Sequence, residues 1–241
     1  MHKHKLLRLG PKLTIAVLLF LAIFQAWKKG YFKDLRQRQK NLSLKPYAVL
    51  LITFPLLIAA LLPFDEFMLH AVQSWSKHFI WVVEFGRFIG GNVTFWAFLV
   101  AVYFLFSFFR REVWSKRILG VILGSVATAL VCHGMKFLFM RARPYTGHSP
   151  LDFFDLSGFM TDYRAFQSFP SGDVALVGGG ASYIFYANSN RRLRWLVFLL
   201  PLATALARVS LNRHWVSDTV GSFWLSLIVC RGVWNYFHTE R

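Results

Sequence analysis

The sequence predicts an all-α integral membrane protein, a six-helix transmembrane bundle with one additional N-terminal hydrophobic helix. Three observations predict it. Of 241 residues, 56% are hydrophobic and 18% aromatic, with 26 Phe and 9 Trp, whereas soluble domains stay near half apolar. The apolar residues run together instead of alternating with charges. The basic residues, which bring the formal net charge to +17, sit in short loops between those runs.

The six principal apolar runs cover residues 47–62, 93–109, 118–140, 174–187, 195–210 and 219–237. Several approach the ~20 residues of a spanning helix, and the shorter ones can extend into neutral flanks. Loops 28–45, 110–117 and 188–194 are basic and are assigned to the cytoplasm by the positive-inside rule. Segments 64–92, 141–172 and 211–218 fall on the opposite side. The earlier run, 14–25, is shorter and flanked by basic residues on both sides. No small-residue cleavage site follows it, so it reads as a membrane-embedded helix, either interfacial or a seventh span. Residues 1–46 thus form an N-terminal hydrophobic helix and basic loop, and residues 47–241 the six-span domain. Gly120, Gly124, Ala127 and Gly178–Gly180 are small residues that let helices pack closely. Cys132 and Cys230 lie inside apolar runs and imply neither a disulfide framework nor a zinc site. The spread of basic residues through loops argues against nucleic acid as a partner and favours anionic membrane lipids.

Three polar clusters fall at the same ends of the apolar runs. In the first, Lys136 interrupts the end of an apolar helix, where a charge is costly without a partner. Arg143 follows seven residues later, nearly on the same helical face, and Pro144 ends the helix there. Two cations at a helix end suit an anion with several oxygens, although Arg141 and Arg143 also read as snorkelling anchors. In the second cluster, Pro170-Ser171-Gly172-Asp173 opens an apolar helix. Its free N–H groups suit phosphate, although Ser171 or Asp173 acting as an ordinary N-cap is the plainer alternative. In the third, Arg208 precedes His214 and Asp218, which are neighbours at i and i+4 in a helix. A carboxylate beside an imidazole fixes its tautomer and readies the other nitrogen as a nucleophile.

With these motifs in this order, the chain resembles the type 2 phosphatidic acid phosphatases of the vanadium haloperoxidase-like superfamily. It carries Lys, six residues, Arg-Pro (Lys136, Arg143, Pro144), then Pro-Ser-Gly (170–172), then Arg, five residues, His, three residues, Asp (Arg208, His214, Asp218). The resemblance implies that Lys136, Arg143, Ser171, Gly172 and Arg208 hold a phosphate. It further implies that His214 forms a phospho-histidine and Asp218 orients it, with no metal and no cofactor. Ala207 replaces a Ser of the family pattern. Asp173 stands where the family has the His that protonates the leaving oxygen.

Three readings of Asp173 follow. Asp173 is itself the acid, or the substrate is a lipid diphosphate whose leaving phosphate, with a second pKa near ~6, needs no strong acid, or the protein is a catalytically impaired lipid-binding relative. His148 is a weaker candidate for the missing acid. The expectation is a lipid phosphatase in a bacterial inner membrane with a periplasmic site, acting on undecaprenyl diphosphate, phosphatidylglycerol phosphate or lipid A. A phosphotransferase using the same residues is the alternative. The aromatic residues of loops 64–92 and 145–167 read as interfacial anchors, with a lipid lid as the second possibility.

Overall fold

The computed structural model describes the backbone of residues 2–31 and 45–238, and side chains from residue 14 onward except at 15, 32–46 and 236–241. The basic residues at 2–12 and 33–45, on which part of the charge argument rests, lie outside the described side chains. Among the described residues every α or strand element is helical: α1 (His2–Lys28), α2 (Lys45–Leu61), α3 (Asp65–Ser76), α4 (Ile80–Gly91), α5 (Val93–Phe108), α6 (Glu112–Phe139), α7 (Leu156–Thr161), α8 (Gly172–Ala187), α9 (Arg191–Leu196), α10 (Leu199–Ser210) and α11 (Val216–His238). Short 3-10 turns follow α2 at Leu62–Phe64 and α6 at Pro144–Thr146.

Each expected apolar run is a helix. By length and apolarity, three stretches can cross a membrane: Tyr47–Ser76, Glu112–Thr146 and Arg191–Ser210. The α4–α5 pair, bent by 59°, makes a fourth if it is one broken span. The bend sits at Asn92, whose side chain accepts from Thr94 N at 2.8 Å and restarts the chain as α5. These apolar helices fit a multi-pass membrane protein. The six-span count is not reached by this measure among the described residues. One reason is that α8, 16 residues long, lies inside the bundle against α6, α10 and α11. A helix enclosed by protein has less need of length and apolarity than one facing lipid.

Small residues make that central packing possible. A Cβ on Gly179 would lie 2.5 Å from the Gly124 carbonyl oxygen, so α6 and α8 touch backbone to backbone. Both cysteines are free and buried. Cys230 donates to Gly179 O at 2.9 Å, and Cys132 to Pro170 O at 3.4 Å.

The hydrophobic helix α1 packs against α5 and α6 through a buried cluster of Ala22, Ala26, Val100, Tyr103, Leu119 and Ile122. Polar contacts fasten its end: Lys29 donates to Ser107 Oγ and pairs with Glu112, each at 3.0 Å, and Gln25 also reaches Ser107 at 3.0 Å.

The segment 64–92, expected as a loop, is instead the helices α3 and α4. Both helices find a receiving surface: α3 and α4 pack on α10. Gly86 of α4 meets the backbone of Ala203 so closely that no side chain fits between them. This contact brings α4 beside the C-terminal half of α10, where Arg208 lies.

Candidate active site

The site begins where α6 stops. Met140 takes a left-handed conformation (φ 42°, ψ 43°) and ends the helix at Phe139. The expectation that the helix runs on to Arg143 is therefore corrected. Residues 141–143 are held by backbone bonds across the loop instead, with Ala142 N donating to Asp152 O, Arg143 N to Ala165 O and Ser168 N to Arg141 O. Lys136 and Arg143 still converge, but through a shared acceptor rather than one helical face. Lys136 Nζ donates to Gln167 O at 2.7 Å and Arg143 Nη2 to the same oxygen at 3.3 Å. Arg143 Nε is buried with no hydrogen-bond partner.

These cations face a polar cavity of about 520 Å³ lined by Lys136, Arg143, Gly172, Asp173, Arg208 and His214, together with Arg87, His133, Gln167, Leu211 and Arg213. The three sequence clusters, from three separate parts of the chain, thus meet in one cavity. Ser171, the chain neighbour of Gly172, is not in the lining and is fully buried. It occupies the N-cap position of α8, yet its side chain makes no capping bond and its Oγ has no partner. The plainer N-cap role considered for Ser171 is therefore not the one observed.

His214 is in the turn before α11 rather than within a helix, which corrects the helical i, i+4 reading. Its Nδ1 is 2.8 Å from Ser168 O and 3.4 Å from Asp218 Oδ2. A carbonyl only accepts, so Nδ1 carries the hydrogen and Nε2 keeps its lone pair toward the cavity. The closer hold on His214 is thus the Ser168 carbonyl. Asp218 acts on both, because Ser168 Oγ donates to its Oδ2 at 2.5 Å and Trp215 N donates to the same oxygen at 2.8 Å. Burial pushes the His214 imidazole down to about 3, with the Arg143 and Lys136 charges adding to the effect and Asp218 opposing it. The imidazole is consequently neutral at physiological pH, the form that can attack phosphorus.

Asp218 is held from behind by a residue read from sequence only as a membrane anchor. Arg141 is fully buried. Its Nη1 donates to Asp218 Oδ1 at 2.5 Å and to Ser217 Oγ at 2.7 Å, and its Nη2 donates to Asp65 Oδ2 at 2.7 Å. Asp65, at the first turn of α3, also accepts from Ser217 N at 2.8 Å and from Ser217 Oγ. The guanidinium lies over the rings of Phe153 and Trp215, at 4.7 and 5.6 Å. Two carboxylates thus share one buried cation, and the start of α11 is fixed relative to α3 and the α6 end.

Asp173 forms an ion pair with Arg208, Oδ2 to Nε at 2.5 Å. Gly91 leaves the space for that guanidinium, since a Cβ there would sit 2.5 Å from Arg208 Nη2. His148 is not in the cavity lining. It pairs with Asp152 at 3.2 Å and rests on the Phe166 ring, so the idea that it supplies an acid is withdrawn. Of the aromatic residues of loop 145–167, Phe153 packs on Phe139 and Phe169, Phe159 on Phe137, and Phe166 in a buried cluster with Ala142 and Ala165, while Tyr145, Phe154 and Tyr163 are exposed. Arg87 and Arg213, not singled out from the sequence, add two further cations to the cavity wall.

A family model described as the PAP2 superfamily matches residues 116–241, which include every residue of the three motifs. No curated protein and no solved structure matches the chain.

Proposed function

Since the chain belongs to the PAP2 superfamily, whose members are phosphatases acting on phosphate esters, we propose that it is a membrane lipid phosphatase working through a phospho-histidine. The observation that carries this reading is the neutral, buried His214, with Nδ1 fixed by Ser168 O and Nε2 left to a cavity walled by cations. A phosphate ester bound there places its oxygens against Lys136, Arg143 and Arg208 and the N–H groups opening α8, including Gly172. This environment stabilises the charge that builds on those oxygens as His214 attacks. Asp218, held by Arg141 and Ser168, stabilises the imidazolium that forms as the P–N bond is made. Water then cleaves that bond and releases phosphate.

A lipid substrate is supported by the setting: the polar cavity lies at one end of apolar helices, several of them long enough to cross a membrane, within the proposed six-span domain of residues 47–241. The basic loops 110–117 and 188–194 lie at the opposite ends of these helices, and the positive-inside rule supports a site on the non-cytoplasmic, periplasmic side of a bacterial inner membrane. Arg87 and Arg213 extend the positive wall beyond Lys136, Arg143 and Arg208, so the cavity suits a lipid diphosphate as well as a lipid monophosphate.

The test is phosphate release by the detergent-purified protein on lipid mono- and diphosphates, with His214→Ala alongside. Turnover that disappears in the variant supports the reading. Turnover that survives it removes His214 as the nucleophile.

A further inference from the structure

The attack of His214 on a phosphate ester leaves a lipid oxygen with an unshared pair, and an alkoxide departs slowly unless it is protonated. Besides the proposed nucleophile and the lysine and arginine side chains, two titratable groups are among the described residues lining the cavity. Asp173 is already engaged by Arg208 at 2.5 Å. The other is His133, on α6 one turn before Lys136. Its Nδ1 is 3.1 Å from the carbonyl of Ala129 on its own helix. That carbonyl requires Nδ1 to carry the hydrogen, so Nε2 is the nitrogen left to exchange a proton with a ligand. The ring also borders the first turn of α8: its Cε1 lies 3.7 Å from where a Cβ would stand on Gly172. It therefore flanks the same backbone N–H groups and the same lysine proposed to hold the phosphate, and it lines the cavity while remaining exposed, within reach of the oxygen of a ligand entering there.

We propose that His133 is a further catalytic residue, the group that protonates the leaving oxygen of the lipid. This rests on the phosphatase reading above. In the first half-reaction His214 Nε2 forms a bond to phosphorus, and the bond from phosphorus to the lipid oxygen breaks with its electron pair going to that oxygen. The proton on His133 Nε2 moves to the oxygen and the lipid alcohol departs. His133 is left neutral with its Nδ1 hydrogen still held by Ala129. In the second half-reaction water attacks phosphorus, His133 Nε2 takes the proton from the water, and the P–N bond breaks with its pair returning to His214. Both rings end as they began.

The test uses the full-length protein in detergent with a prenyl monophosphate and the prenyl diphosphate of the same chain. The first leaves as an alkoxide. The second leaves as a phosphate that needs little protonation. His133→Gln is expected to lose ~10² to 10⁴-fold in turnover on the monophosphate and less than a tenth of that factor on the diphosphate. His133→Ala is expected to regain monophosphate turnover when free imidazole is added. Asp173→Asn is expected to leave the ratio between the two substrates unchanged. Equal losses on both substrates without imidazole rescue, or no loss in either, would overturn the assignment. So would a monophosphate-selective loss in Asp173→Asn with none in His133→Gln, which would make Asp173 the acid. If His214→Ala remains active on both lipids, the underlying phosphatase reading has failed, independently of His133.

Discussion

Replacing Arg141 tests whether the site depends on its buried charge pairs. Arg141→Met keeps an apolar stem of similar reach but removes the guanidinium. Asp218 Oδ1 then loses a partner at 2.5 Å, Asp65 Oδ2 one at 2.7 Å and Pro150 O one at 2.6 Å, all in fully or largely buried surroundings. Leaving a buried charge uncompensated costs about 3–5 kcal/mol, and here two carboxylates are stranded together, so the upper part of that range applies. The assay is a denaturant titration of the detergent-solubilised protein, with phosphate release measured in parallel. Asp65→Asn combined with Arg141→Met removes one stranded charge and is expected to recover at least about 1 kcal/mol relative to Arg141→Met alone, a coupling of the size seen for residues sharing one network. Arg141→Lys is expected to recover little, because an ammonium does not span both carboxylates as the planar fork does. An Arg141→Met protein within about 0.5 kcal/mol of the parent would refute the claim that this cation holds α3 and α11 together.

In the unfolded chain His214 titrates near ~6.5, but burial holds it at about 3 in the fold. The unfolded chain therefore binds a proton that the site refuses. The resulting loss of stability grows as the pH falls from ~6.5 toward 3, by up to ~1.4 kcal/mol per unit, with no slope from this group above ~6.5. Unfolding midpoints at pH 7 and 5 should show that loss in the parent and a smaller one in His214→Gln, and equal losses would contradict it. Asp173→Asn releases Arg208 from a partly exposed pair worth roughly 0.5–1 kcal/mol. Competitive inhibition by inorganic phosphate should tighten by roughly two- to fivefold, and an unchanged or weaker inhibition constant would count against competition between Asp173 and the anion. Gly179→Ala drives a Cβ to 2.5 Å from the Gly124 carbonyl oxygen and should cost about 1–3 kcal/mol, read from the same titration. A neutral result would mean that α6 and α8 separate easily.

Those site residues that were legible each carry their signal locally. Lys136 interrupts an apolar run, Ser171-Gly172 opens one, and Arg208, His214 and Asp218 keep a fixed spacing. The helices were legible for a similar reason, since continuous apolar runs leave the backbone no partner but itself. Other features depend on long-range contacts that no local pattern encodes. Asp65 lies 76 residues from Arg141, and Arg141, between two other basic positions, looks like one more interfacial anchor. Nothing near Met140 marks a helix end, because the usual glycine is absent and the turn is held by bonds to Asp152, Ala165 and Ser168 further along. Segment 64–92 reads as a loop because its charges break the apolar pattern. It is helical because α10 offers a surface for Gly86 and Gly90. His133 did leave a trace, one helical turn before Lys136, but a histidine in an apolar helix has no distinctive neighbours in sequence.

The most direct test of the central claim is to trap the covalent step. Purified protein mixed with a lipid phosphate labelled on the transferred phosphoryl group is quenched during turnover, and the label is mapped by peptide. The account predicts an acid-labile, base-stable label on His214, absent from His214→Ala. Turnover with no label on His214, or with the variant turning over at the parent rate, would contradict it.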